Sequence, residues 1–267
     1  MIFLVFILTI VLYAVAAIAF FFRLLGRSQT LERLAFGSLG LAVVANIVFV
    51  VCDYFANDNL LMSHINGTLA TASMLISLGY LLQMRRHRLP VLGTFVVPIA
   101  LLFLLGAGLP SQGHRIPEGI GSALIKLHII FSTLGVVLFT LAFAAAVAYL
   151  IQETLLRSRQ ISGVFQRLPA LDLLDTAGFR FVTVGFPLFT IGIILGSITS
   201  LRIGAGLFNF SASQGFALLA WLCFAFILLT RAIAGWRGRR AALGTVMGFL
   251  CAVATLLGYL LRNAGGW

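Results

Sequence analysis

The chain has 267 residues, of which 61% are hydrophobic and only 9% charged, with a mean hydropathy of +1.11. A water-soluble globular domain carries about 25% charged residues, so that class is excluded and a polytopic membrane protein is indicated. The formal net charge of +11 does not signal nucleic-acid binding, because the basic residues are spread between apolar runs and form no single patch.

A helix needs about 20 mostly apolar residues to cross about 30 Å of hydrocarbon. Eight stretches qualify: Ile2 to Phe22, Ala35 to Phe55, Asn66 to Met84, Leu89 to Ala107, Leu127 to Ile151, Phe181 to Leu201, Ser213 to Ala232 and Ala241 to Leu261. The first lacks a preceding basic residue, is too long for the apolar part of a signal peptide and runs directly into Arg23, so it reads as a retained span. The fourth contains Pro90 and Pro98 and the sixth Pro187, which membrane helices accept as kinks when neighbours satisfy the freed backbone groups.

Orientation follows from the arginines. The connections after the first, third, fifth and seventh spans hold fourteen of them, while the other side has only Arg115, Lys126, Arg202 and Arg262. Basic loops stay in the cytoplasm, so the expected fold is an all-α, polytopic integral membrane bundle of about eight transmembrane helices with both termini extracytoplasmic. No tandem repeat or low-complexity tract divides it, and residues 1–267 read as one integral domain.

The longest cytoplasmic connection, Glu153 to Arg180, interleaves Leu168, Leu171, Leu173 and Leu174 with Arg167, Asp172 and Asp175. This pattern predicts a short amphipathic helix lying along the inner interface. Cys52, Cys223 and Cys251 lie in or beside apolar runs and show neither disulfide nor zinc spacing.

Topology sorts the four histidines. His87 sits in the cytoplasmic run Arg85-Arg86-His87-Arg88 and reads as part of a solvated basic turn. His114 lies in the outer loop from Pro110 to Lys126, while His64 and His128 belong at the outer end of the bundle. A histidine at the edge of a membrane helix either snorkels to headgroups, bonds a neighbouring helix or marks a functional site. The outer loop from Arg202 to Phe216 carries Phe208, Phe210 and Phe216, one basic residue and no acid. Such aromatics anchor a loop among headgroups or present a flat face to a flat ligand. Imidazole with aromatic cover is a combination that suits haem iron. The sequence shows no nucleophile triad, phosphate-cradling glycine loop or pair of mid-membrane carboxylates, so no enzymatic role is expected and a small-solute transporter is disfavoured.

Leu168-Pro-Ala-Leu-Asp-Leu-Leu-Asp175, Arg180, Gly185-Phe-Pro-Leu-Phe-Thr-Ile-Gly192, Gly196 and Gly235-Trp-Arg-Gly-Arg-Arg-Ala-Ala242, with Lys126-Leu-His128 opening a span that ends Tyr149-Leu-Ile-Gln-Glu153, resemble cytochrome c assembly proteins of the CcsA, CcmC and HemX type. The resemblance is best over residues 125–267. It implies cytochrome c-type biogenesis: binding haem at the extracytoplasmic face of the bacterial cytoplasmic membrane and presenting it for attachment to apocytochrome c, with another assembly subunit as partner. The alternative it implies is a HemX-like membrane regulator or accessory protein acting with a haem-biosynthesis enzyme, without haem transfer.

In that family a tryptophan-rich outer segment presents haem between axial histidines. With Trp221 matched to the tryptophan just beyond that segment, Phe208 and Phe210 stand in place of the Trp-x-Trp pair and Phe216 in place of the last tryptophan. His128 matches the outer histidine before the segment and His64 a membrane histidine before the third span. These two are the expected haem-iron ligands, with His114 a substitute for the outer histidine that residues 262–267 lack.

Overall fold

In lipid every backbone N–H and C=O must be satisfied within the chain, so apolar runs of this length can only cross as helices. The computed structural model describes residues 2–26, 28–57, 65–87, 89–109, 120–159, 163–202 and 212–265. Among them are α1 (Ile2–Leu25), α2 (Gln29–Asn57), α3 (Ile65–His87), α4 (Gly93–Ala107), α5 (Ile120–Arg157), α6 (Leu171–Arg202), α7 (Ala212–Ala234) and α8 (Arg239–Gly265). All eight contain a segment long and apolar enough to span a membrane, and no strand occurs among the described residues. The protein is an integral, multi-pass membrane protein.

Neighbours in sequence pack as antiparallel pairs: α1 with α2, α3 with α4, α5 with α6, α7 with α8. Contacts of α1 with α4 and α2 with α3 close the first four helices, and contacts of α5 with α8 and α6 with α7 close the second four. α5 touches α3 and α4 and joins the two sets. It is accordingly the most enclosed span. Its inward face is built from Ala142, Ala144, Ala145 and Ala148, small side chains that let neighbouring backbones come close where lipid provides no hydrophobic drive for helix association. Large apolar residues such as Leu41, Phe55, Leu102 and Phe226 cover the outside, where acyl chains would lie.

Helix ends differ from expectation in an instructive way. Pro90 does not kink a span; it opens a 3-10 turn, Pro90–Leu92, ahead of α4, where its missing N–H costs no hydrogen bond. Pro98 and Pro187 do lie inside helices. Among the described residues the interfacial helix expected between Glu153 and Arg180 does not stand as a separate element: α5 continues to Arg157, α6 begins at Leu171, and a 3-10 turn, Phe165–Arg167, is the one described element between them. Asp175 explains the change. Its carboxylate pairs with Arg231 at 2.9 Å and accepts the Gly238 backbone N–H at 3.0 Å, so it has partners within the bundle and does not need headgroup water. Leu174 beside it is buried.

The arginine-rich end is tied by polar contacts between helices. Arg23 on α1 pairs with Glu32 on α2 at 3.3 Å, Arg167 donates to the Leu24 carbonyl, and Tyr80 donates to the Pro90 carbonyl at 3.0 Å. At the opposite end Asn66 donates to the carbonyls of Ala107 and Leu109 at 2.7 and 2.8 Å, holding α3 to the end of α4.

Candidate functional site

His128 lies in α5 near the end opposite the arginines, and its ring is turned toward α6. Its Nδ1 is 2.6 Å from the Gly192 carbonyl oxygen, with Ser132 Oγ 3.5 Å from the same nitrogen. A carbonyl only accepts, so Nδ1 carries the proton. In the neutral ring Nε2 then keeps its lone pair, the form in which imidazole binds a metal. The residue is half-buried. A carbonyl bond to the far nitrogen is also the usual means of holding a metal-binding histidine in one tautomer and orientation.

Glycine makes this seat. Gly192 and Gly196 are one turn apart on α6 and face α5. A Cβ at Gly196 would come within 2.8 Å of His128 Cε1 and Nδ1, and one at Gly192 would overlap Ser132. Continuing the same face seven residues deeper, a Cβ at Gly185 would meet Phe139 at 3.0 Å. Phe139 stacks on Phe224 of α7 with centroids 3.7 Å apart and meets Phe189 of α6 edge-on at 5.4 Å. This aromatic cluster joins α5, α6 and α7 about 16 Å deeper than His128, given the 1.5 Å rise per residue.

Trp221 occupies a different seam. Its indole N–H donates to Thr190 Oγ1 at 2.9 Å and its ring packs on Phe186 at 5.5 Å, both on α6. Successive helix residues are about 100° apart, so Thr190 and Gly192 lie on different sides of α6. Trp221 therefore fastens α7 to α6, while His128 fastens α5 to α6, and the structure does not bring the two rings together. Phe216, in the second turn of α7, is 39% exposed, a position available to lipid or ligand. His64, His114, Phe208 and Phe210 lie outside the described residues. Among the described residues no group of three or more His, Cys, Asp or Glu side chains could hold a metal ion, which leaves His128 to be judged as a single ligand.

Ser132, Gly192 and Gly196 were legible only as letters. The spacing of Gly185, Gly192 and Gly196 marks one face of a helix, but only the packed structure shows that the face receives an imidazole. A buried polar group in the first four helices also escaped prediction. Asn46 Nδ2 donates to Tyr13 OH at 3.4 Å and to Ser73 Oγ at 3.5 Å, with all three side chains fully buried among α1, α2 and α3.

Among the described residues these features define an eight-span helical membrane protein with a histidine oriented inside a helix seam, at the end opposite the arginine-rich one. The chain belongs to the cytochrome c assembly protein family, whose profile matches residues 1–265. Among curated relatives, the cytochrome c biogenesis protein CcsA of Cyanophora paradoxa is 38% identical over 98 residues, covering 35% of this chain and 30% of that protein. The CcsA protein of Gloeothece citriformis is 36% identical over 106 residues, covering 38% and 32%. That of Microcystis aeruginosa is 28% identical over 181 residues, covering 66% and 54%. The chain thus spans about a third to about half the length of these relatives.

Proposed function

We propose that this protein works in cytochrome c biogenesis, holding haem as cargo at the extracytoplasmic end of its bundle and presenting it for attachment to apocytochrome c. On this reading it makes no bond itself and is not an enzyme. The observation that carries the reading is the His128 seat. An imidazole at the membrane edge has its Nδ1 proton committed to Gly192, and this leaves Nε2 as a ligand for iron. Haem bound as cargo would supply the iron for which imidazole is a ligand. His128, with His64 or His114, would be the residues that hold it, and Phe208, Phe210 and Phe216 would give aromatic cover.

Membership of the cytochrome c assembly family and relatives named for cytochrome c biogenesis support this reading over that of a regulator of haem biosynthesis. The location is the cytoplasmic membrane of a bacterium, and the partners are another assembly subunit and apocytochrome c.

The test is the visible spectrum of the detergent-purified protein, with haem quantified as the pyridine complex. Wild type is expected to show a Soret band, and His128→Gly to lose most of it and regain it on addition of free imidazole, which can fill the vacated seat. A His128→Gly protein that is folded and holds as much haem as wild type would refute the ligand role. A wild type with no haem after expression with haem in excess would refute the cargo role.

A further inference from the structure

The turn between α7 and α8 is built more firmly than a solvated connection needs. Gly235 and Gly238 take positive φ values of 63° and 72°, a conformation open mainly to glycine. Asp175 then holds the Gly238 N–H from α6 while pairing with Arg231. Arg231 in turn lies over the Phe179 ring with its guanidinium carbon 4.0 Å from the centroid. The fixed turn displays Arg237, Arg239 and Arg240, all exposed. Among the described residues none of the three forms an ion pair with a carboxylate.

Beside the arginines the surface changes character. Trp236 folds back along α7, its ring edge-on to Phe226 with centroids 5.7 Å apart, and the Arg240 guanidinium carbon lies 5.1 Å from the indole centroid. Phe226, Leu229 and Ile233 follow at helical spacing on one face of α7 and are 56%, 58% and 78% exposed. A strip of apolar surface thus runs up the helix from a tryptophan at interface level, with guanidinium groups at its foot. Acyl chain, interface and anionic headgroup meet those three zones in that order.

We propose that the α7–α8 turn and the adjoining face of α7 form a binding site for an anionic phospholipid of the cytoplasmic leaflet, its phosphate held by Arg237, Arg239 and Arg240 and its chain lying on Phe226, Leu229 and Ile233. Charge complementarity selects the headgroup, since a zwitterionic lipid gains little from a surface of guanidinium groups without carboxylates. The apolar strip selects a lipid over free phosphate.

The experiment measures lipids retained by the full-length protein after exchange from mixed phosphatidylglycerol and phosphatidylcholine vesicles, by native mass spectrometry. Phosphatidylglycerol should be retained preferentially. Each basic residue near the membrane surface strengthens such binding on the order of fivefold, so R239Q/R240Q should weaken retention by more than about tenfold. A control with the same charge loss at the same end, R33Q/R159Q, should change it little. Inorganic phosphate at matched ionic strength should not displace the lipid. The proposal is overturned by equal retention of the two lipids, by a control as damaging as R239Q/R240Q, or by displacement with phosphate. A protein that copurifies with wild type and is lost in R239Q/R240Q while lipid retention is unchanged would assign the turn to protein docking instead. Because no readout involves haem, the outcome is independent of the proposed function.

Discussion

Asp175 of α6 and Arg231 of α7 form an ion pair at 2.9 Å with side chains only 9% and 10% exposed. Removing one partner of such a pair leaves a desolvated charge, and the expected cost is about 3–5 kcal/mol. Asp175→Ala should therefore lower the thermal midpoint in detergent strongly. A double replacement, Asp175→Leu with Arg231→Met, should recover part of the loss by removing both charges, though not the part due to the Gly238 N–H that Asp175 accepts. If the double variant is less stable than Asp175→Ala, the ion-pair account is wrong.

The two positive-φ glycines of the inner turn give an internally controlled comparison. An L residue in the left-handed region costs about 1–2 kcal/mol, and a Cβ at Gly235 meets nothing within 4 Å, whereas one at Gly238 would lie 2.7 Å from Tyr149 OH. Gly238→Ala should be the more destabilising substitution in thermal unfolding. Equal effects would show that the Tyr149 contact yields freely.

Gly196→Ala probes the histidine seat without touching the histidine. The added carbon would lie 2.8 Å from the His128 ring, and forcing a methyl group into packed space costs about 1–3 kcal/mol. The ring must move away from Gly192, so Gly196→Ala is expected to reduce haem occupancy while the protein still folds, read from the Soret band alongside a melting curve. An unchanged spectrum would separate haem binding from this seam.

Asn46 tests the polar group in the first four helices. Its hydrogen bonds are long, at 3.4 and 3.5 Å, and its Oδ1 is buried with no partner. Asn46→Leu removes that orphaned oxygen but leaves the buried Ser73 Oγ without the Asn46 donor, so it should cost about 1–3 kcal/mol. Asn46→Asp should be clearly less stable, because a carboxylate there has no cation to meet. Similar melting temperatures for the two variants would count against a dry interior at that level.

Much about this protein can be read from the one-dimensional order of residues. Eight apolar runs of crossing length dictate eight helices, because a membrane accepts no unsatisfied backbone, and the alternation of arginines orients them. His128 is singled out by the same logic, as a polar ring at the edge of a span. What only the tertiary structure decided is which groups meet across seams. Nothing in the local sequence says that Asp175 finds Arg231, 56 positions away, and this meeting turns an expected surface helix into the first turns of α6. Nor does it say that Gly192 and Gly196 accept the His128 ring while Trp221 turns to Thr190 in the next seam. Hydropathy is a property of each residue against lipid and adds up along the chain. Side-chain partnership depends on how two helices are rotated and shifted against each other, which is settled by small residues and hydrogen bonds contributed from distant segments.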